Sequence, residues 1–240
     1  MITPTIIGYA LIGGLLPPLL WLYFLLKEDS RCPEPRSMIL GTFVIGMLVV
    51  PAVIPFQRYF CTVLGSCNPL PDASTLILWA AVEELFKYAA VAAFVLWRKS
   101  VDESVDYVIY MITAALGFAA LENTLFLLGP LMQGQVFESV VTSNIRFVGA
   151  SLLHVVSSAL IGFALGFSFM HRRLMRIVLV VIGVILAIAL HAGFNILILS
   201  GEASGMFQAL FTVWSAAIVF FALFEILKYI RYRRLPKNTC

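Results

Sequence analysis

The chain has 240 residues, of which 61% are hydrophobic and 12% are charged, and its formal net charge is +3. Soluble globular domains are about half apolar and about one quarter charged. A chain with half that charge has too few polar side chains to cover its surface in water, which excludes a soluble enzyme, a disordered chain and a nucleic-acid-binding protein. Its mean hydropathy of +0.99 instead indicates a polytopic membrane protein.

Seven apolar segments, bounded by Pro, Gly and charged residues, predict an all-α bundle of transmembrane helices that forms one membrane domain, 1–240. A membrane span needs roughly 20 apolar residues, and each segment is long enough. The predicted spans are 4–26, 38–60, 75–97, 105–129, 144–170, 175–199 and 206–228. These segments are too long and too uniformly apolar to be the strands of a membrane barrel.

The basic residues predict the orientation of the bundle. With seven spans, the 1–2, 3–4 and 5–6 connections lie on the same face as the C-terminal tail. That face holds Lys27, Arg31, Arg36, Arg98, Lys99, Arg172, Arg173, Arg176, Lys228, Arg231, Arg233, Arg234 and Lys237, whereas the opposite face has Arg58 and Arg146. The positive-inside rule therefore predicts an N-terminus outside and a cytoplasmic C-terminus.

Two of the four cysteines lie together on the predicted outer face. Cys61 and Cys67 belong to the same outer loop, whereas Cys32 and Cys240 lie on the reducing side. Because the outside of the membrane is oxidising, the sequence predicts a disulfide between Cys61 and Cys67.

Four predicted spans carry polar residues far from their ends, where a charged group is costly in a bilayer. These residues are Glu83, Glu84 and Lys87 in the third span, Glu122 and Asn123 in the fourth, His154 in the fifth, and His191 and Asn195 in the sixth. At 1.5 Å of rise per residue, Glu83, Glu84, Glu122, His154 and His191 all lie roughly 10–15 Å below the outer surface. A shared depth predicts one polar chamber in the outer half of the membrane.

The composition of this chamber suits peptide hydrolysis. A buried glutamate can activate water as a general base, and histidine or asparagine can donate to an oxyanion. Two histidines and a glutamate can also bind Zn²⁺ and leave a fourth position open. We therefore assign Glu83, Glu84, Lys87 and Asn195 to catalysis, and Glu122, His154 and His191 to a metal site. The spacing lacks an HExxH helix, so it leaves a metal-free mechanism open.

Two other classes of protein use buried polar groups in a membrane. A scaffold or chaperone of membrane proteins could keep such residues without catalysis. An ion or solute carrier could use the carboxylates as a relay, but carriers often show two matched halves, and the sequence has no internal repeat. Cleavage of a membrane substrate would separate an enzyme from both.

The ordered motifs of the chain resemble the PrsW family of intramembrane proteases. The resemblance includes the first loop, EDSRCPEPRS, followed by EELFK with Glu83, Glu84 and Lys87. It continues through DESVDYVIYMITAALGFAALENTLF, the His154 segment and HAGFN with His191 and Asn195. It implies an integral peptidase of a prokaryotic plasma membrane that cuts other membrane proteins, in known cases an anti-sigma factor, on the extracytoplasmic side.

The wider clan keeps the mechanism open. The family is commonly treated as metallopeptidases, which implies Zn²⁺ as the cofactor. The clan is also similar to the prenyl-protein endopeptidases, often described as glutamate-dependent without a metal, and to the non-catalytic scaffold subunit of gamma-secretase. The depth of the chamber predicts cleavage in the outer third of a single-span substrate, or just outside it.

Overall fold

A computed structural model describes residues 3–28, 33–67, 70–169 and 171–234, which form helices joined by short loops, with no strand among them. The helices are α1 (Pro4–Glu28), α2 (Arg36–Leu64), α3 (Ala73–Phe94), α4 (Asp106–Met132), α5 (Val136–Ile145), α6 (Ser151–Ser168), α7 (Arg173–Leu199) and α8 (Ala203–Arg234). A π-helical turn, Arg146–Ala150, joins α5 to α6 without a break, so the described part of the chain forms seven helical runs. The predicted all-α membrane bundle is confirmed.

The largest difference from the predicted spans is at the start of the fifth. The prediction begins this span at 144, whereas the helix begins at Val136. Segment 136–145 reads as a loop because polar residues interrupt its apolar pattern. Two serine hydroxyl groups of this segment have hydrogen-bond acceptors within the fold. Ser139 Oγ donates to a backbone carbonyl one turn earlier at 2.9 Å, and Ser143 Oγ donates to the carbonyl of Gly13 in α1 at 3.4 Å.

An odd number of helical runs that alternate in direction places the start of α1 and the end of α8 on opposite faces of the bundle. Which face is outside rests on the basic residues and stays a prediction. The expected end of the fifth span at Met170, the basic residues Arg31 and Lys237, and the cysteines Cys32 and Cys240 lie outside the described residues, as do the side chains of 231–234.

The centre of the bundle is α4. It packs against α1, α2 and α6, and its segment 107–120 is buried on every side. Small residues let the neighbouring backbones approach closely. A Cβ atom on Gly117 would meet the backbone carbonyl of Phe43, and one on Gly46 would meet that of Ala114. The helices α2 and α4 therefore cross in backbone contact at this level.

Six helical segments are long and apolar enough to cross a membrane: α1, α2, α4, the run Val136–Ser168, α7 and Ala203–Ile230 of α8. The exception is α3, because Glu83, Glu84 and Lys87 lie in its middle. It packs against α2 and α7, and none of these three residues is more than 4% exposed. The charges of α3 are thus shielded by other helices rather than placed in lipid.

The turn between α2 and α3 is closed covalently. Cys61 and Cys67 form a disulfide, which confirms the prediction from their shared loop. Gly65, with a φ of 62°, ends α2 in the left-handed conformation that glycine adopts without strain. Asp72 caps α3 by accepting a hydrogen bond from the Thr75 N–H at 2.8 Å, and this bond holds the pKa of Asp72 below its usual value. The disulfide and the Asp72 cap therefore hold the N-terminal end of α3, the helix that carries Glu83 and Glu84.

Candidate active site

Glu84 lies at the centre of a network of hydrogen-bond donors. Its Oε1 accepts from Lys87 Nζ at 2.8 Å, from His191 Nδ1 at 2.8 Å and from Ser157 Oγ at 3.1 Å. Its Oε2 accepts from Ser158 Oγ at 2.8 Å. The side chain has no exposed surface. Glu84 is therefore placed to orient Lys87 and His191 rather than to contact a substrate.

Lys87 and Glu122 fix the tautomer of His154. Lys87 Nζ, which can only donate, lies 3.0 Å from His154 Nδ1. This nitrogen is therefore the acceptor, and His154 Nε2 carries the proton and donates to Glu122 Oε2 at 3.0 Å. The Phe118 ring lies below the ammonium, with its centre 4.2 Å from Lys87 Nζ. Both ring nitrogens of His154 thus have protein partners.

Glu83 and His191 present two acceptors to each other. Because His191 Nδ1 donates to the Glu84 carboxylate, Nε2 keeps its lone pair. This Nε2 lies 3.5 Å from Glu83 Oε2, one of two buried side-chain atoms without a hydrogen-bond partner among the described residues. Glu83 Oε1, in contrast, accepts from Gln57 Nε2 at 2.9 Å. Two facing lone pairs need a proton or a cation between them.

Glu83, His154 and His191 form a group that could hold a metal ion. One ligand atom from each side chain lies within 4.8 Å of the other two. Two histidines and a carboxylate are a donor set of catalytic zinc sites. The unpartnered Glu83 Oε2 fits this role, and Glu84 would orient His191 as the outer carboxylate of a carboxylate–histidine–metal arrangement. The structure thus brings Glu83 into the group where the sequence predicted Glu122.

Glu122 is held by Arg146. The guanidinium Nη2 donates to Glu122 Oε2, and Nε donates to Asn123 Oδ1 at 2.6 Å. The guanidinium carbon also lies 3.9 Å from the centre of the Phe126 ring. Arg146 begins the π-helical turn between α5 and α6, and such turns are frequent at functional sites. Sequence analysis missed this role because an arginine at the predicted start of a span is an ordinary interfacial residue.

A cavity of about 350 Å³ reaches these groups. Its polar lining consists of Gln57, Glu83, Glu122, Arg146, His154, His191 and Asn195. Apolar side chains of α2, α3, α4 and α7 form most of the remaining wall. The polar chamber predicted from the common depth of four helices is present, and Asn195 faces it one turn beyond His191.

The two adjacent glutamates differ in their access to this cavity. Glu83 lines it, whereas Glu84 lies behind the wall with Lys87. The ion pair of Lys87 among the described residues is with Glu84, at 2.8 Å. Gln57 was missed because it lies on another helix, and no local pattern links it to Glu83.

The chain matches the family model described as PrsW family intramembrane metalloprotease over residues 34–224. This range contains every residue of the polar lining. No solved structure matches the chain.

Relatives that share this name align over most of the chain. It is 31% identical to Protease PrsW of Geobacillus kaustophilus over 198 residues, which are 82% of this chain and 83% of the relative. It is 25% identical to Protease PrsW of Oceanobacillus iheyensis over 227 residues, which are 95% and 96% of the two chains. It is 30% identical to Protease PrsW of Bacillus subtilis over 158 residues, which are 65% of each chain. The chain therefore belongs to the PrsW family of intramembrane metalloproteases.

Proposed function

We propose that this chain hydrolyses a peptide bond near the extracytoplasmic end of single-span membrane proteins such as anti-sigma factors. Its family makes it a peptidase of the bacterial plasma membrane that acts on membrane proteins. The observation that carries the proposal is the unpartnered Glu83 Oε2, which faces His191 Nε2 inside the cavity. A water molecule and a peptide carbonyl at this point would both lie beside carboxylate and imidazole side chains.

The proposed metal site consists of Glu83, His154 and His191, with Zn²⁺ as the ion. A bound ion would act as a Lewis acid that polarises the peptide carbonyl and acidifies a water molecule. Glu84 orients His191 through Nδ1 and leaves Nε2 directed at Glu83. Lys87 compensates the charge of Glu84 inside the bilayer.

Glu122 is the proposed general base in this mechanism. It lines the cavity beside His154, and its Oε2 is shared by His154 and the guanidinium of Arg146. The guanidinium of Arg146 compensates the charge of the Glu122 carboxylate. Asn195, also in the cavity wall, can donate from its amide to the oxyanion that develops on the carbonyl.

The contacts of His154 favour a second, metal-free mechanism. Its Nδ1 faces Lys87 Nζ and its Nε2 faces Glu122, so the observed arrangement leaves no free lone pair on this ring. Without a metal, Glu83 Oε2 would itself take the proton from water. Both mechanisms place the attacking water beside Glu83, and they differ in whether a chelator stops the reaction.

The position of the cut follows from the substrate helix. A spanning helix has its backbone hydrogen bonds closed within itself and must unwind before a carbonyl reaches the attacking water. Unwinding is easiest near a helix end, where carbonyls already lack intrahelical partners. The cavity lies in the half of the bundle that holds the α2–α3 turn, which the basic residues place outside. We therefore expect cleavage in the outer third of the substrate span or just beyond it.

The test uses purified protein in proteoliposomes with single-span anti-sigma factors from the same genome, and mass spectrometry of the products. We expect wild type and the surface control Glu138→Gln to cut at the outer end, and Glu83→Gln to cut none. The metal mechanism is supported if the purified protein contains one equivalent of Zn²⁺ and a chelator abolishes its activity. Activity that survives chelation supports the metal-free mechanism. A cut at the cytoplasmic end would contradict the assigned outer face.

A further inference from the structure

Neighbouring helices close most sides of the candidate cavity by direct contact. Trp79 Nε1 donates to the backbone carbonyl of Gln57 at 3.1 Å and so joins α3 to α2. A Cβ atom on Gly149 of the π-helical turn would lie 3.2 Å from the ring of Phe194, which closes the side toward α7. The contacts of α6 with α4 and α7 close the back.

The side between α2 and α4 is different. These helices are in backbone contact at Gly46 and Gly117, but beyond this crossing both of them line the cavity. Leu125 and Phe126 of α4 belong to its wall and are still 43% and 53% exposed. Ile54 lines it from α2. These residues bring the wall of the cavity to the outer surface of the bundle between α2 and α4, and we call this place the slot. Ile145 and Leu199 of the same wall, which are 43% and 38% exposed, lie toward α5 and α7.

The sequence of α2 gives a physical reason for this slot. Pro51 and Pro55 lie within the helix, just beyond Gly46. Each proline lacks the N–H that would bond to the carbonyl four residues earlier, and proline is a common cause of helix kinks. The helix is thus weakened at the level where it has to separate from α4.

We propose that the slot between α2 and α4 is the lateral portal through which the unwound outer end of a substrate span reaches the cavity. This inference rests on the proposed function. A membrane-anchored substrate cannot leave the bilayer, so it must approach a buried site from the side. The portal is continuous with the cavity that holds Glu83.

The chemistry of the portal changes from its rim to its interior in the way such a substrate requires. The rim residues Leu125 and Phe126 are apolar and suit a helix still surrounded by lipid. Directly behind them, the guanidinium of Arg146 lies 3.9 Å from the centre of the Phe126 ring and beside Glu122. Polar groups at this point can pair with the backbone N–H and carbonyl groups that unwinding releases. The favoured substrates are therefore single-span proteins with helix-breaking residues at the outer end of the span.

Photo-crosslinking tests this portal without requiring cleavage. The photoreactive residue p-benzoyl-phenylalanine replaces Leu125, or Leu11 of α1 as a lipid-exposed control at a similar depth, in the Glu83→Gln background. The probe is a tagged single-span peptide, co-expressed in a bacterial inner membrane, where basic residues at one end set its orientation. One form carries Gly-Pro-Gly near its outer end, and the other carries it near its cytoplasmic end.

We expect several-fold more crosslinking at position 125 with the outer break than with the cytoplasmic break, and no difference between the two probes at position 11. Equal yields of the two probes at position 125 would overturn the portal, whatever the protein cleaves. A second measurement uses a substrate that wild type cuts: Leu125→Trp lowers kcat/KM several-fold and Leu11→Trp leaves it unchanged. Equal rates for both variants contradict the portal, whereas absence of cleavage by wild type contradicts the proposed function alone.

Discussion

Two cavities of similar size lie in different parts of this bundle. The outer one, with Glu83, measures about 350 Å³, and the inner one, between α1, α4, α6 and α8, measures about 330 Å³. Each is lined by one of the two residues with an unpartnered buried atom among the described residues, Glu83 with its Oε2 and Trp21 with its Nε1. Volume and an unsatisfied polar atom therefore do not distinguish them.

The neighbours of the unpartnered atom do distinguish the two cavities. Around Glu83 lie two imidazoles, a second carboxylate and a guanidinium. Trp21 faces mainly hydrocarbon, from Phe24, Leu25, Ile112, Leu152, Val155, Phe220, Phe221 and Phe224, with Lys27 and Glu28 at one end. A carboxylate oxygen among proton donors and acceptors can act on water, whereas an indole N–H among hydrocarbon can only lose a hydrogen bond. The chemical groups around the unpartnered atom, rather than the volume of the cavity, therefore mark Glu83 as part of the candidate site.

The largest expected effect is that of Glu83→Gln. Losing a general base or a ligand oxygen should lower kcat/KM by about 10³-fold, within the range for positioned acid–base groups. The amide keeps the size of the side chain, so the fold should stay intact. Substrate cleavage and thermal unfolding of the two proteins provide the check, with the exposed Glu138→Gln as the control. Wild-type activity in Glu83→Gln would remove the distinction between the two cavities.

Glu84→Gln should act through stability. It leaves Lys87 buried without its carboxylate partner, and breaking one member of a buried ion pair costs about 3–5 kcal/mol. The free energy of unfolding in detergent should therefore fall far more than in Glu83→Gln. The double variant Glu84→Gln/Lys87→Met should recover part of the loss. A Glu84→Gln protein as stable as wild type would show that its network of donors is not structural.

Gln57→Leu should have an intermediate effect. The amide fixes Glu83 Oε1 at 2.9 Å and so leaves Oε2 directed into the cavity. Outer-sphere hydrogen bonds to ligands are worth about 10–100-fold in metal affinity or activity, so we expect about a 10-fold loss of kcat with little change in KM. Gln57→Glu would place a second negative charge beside Glu83 and is not used. Gln57→Asn keeps the amide on a shorter side chain and tests whether it must reach Glu83 Oε1. A loss confined to KM would indicate a substrate contact instead.

Trp21→Phe should have the smallest effect. It removes an unpartnered N–H in the inner cavity, where such a group costs about 1–3 kcal/mol if it stays unsatisfied. Activity should not change, and thermal stability should stay equal or rise. A marked loss of activity would show that the inner cavity contributes to function, and the contrast between the two cavities would fail.

Sequence analysis could predict which residues meet, but not how they divide their roles. The depth of Glu83, Glu122, His154 and His191 follows from the helix rise and from the odd number of spans. The sequence could therefore predict that these side chains lie close together. Glu83 and Glu84 are adjacent, and which of them faces the cavity depends on Gln57, Ser157 and Ser158 from other helices. That information is tertiary, and no periodicity in the third span contains it.

Arg146 shows why the rest of the site was out of reach. Its role depends on a helix that begins at Val136 and on the π-helical turn that starts at Arg146 itself. Neither feature has a strong local signal, because the polar residues of 136–145 resemble a loop. An arginine at the edge of a predicted span was therefore counted as interfacial, although it binds Glu122 and Asn123.

The charged middle of α3 also constrains how the protein is made. During synthesis, each charged residue at the centre of a span costs about 3 kcal/mol for partitioning into lipid, and α3 carries three of them. Lys87 pairs with Glu84 within α3, but the other donors to Glu84, which are Ser157, Ser158 and His191, belong to helices that emerge from the ribosome later. The nascent α3 should therefore wait at the insertion machinery, paired with α2, until α6 and α7 arrive. We therefore expect the active site to assemble as membrane insertion is completed.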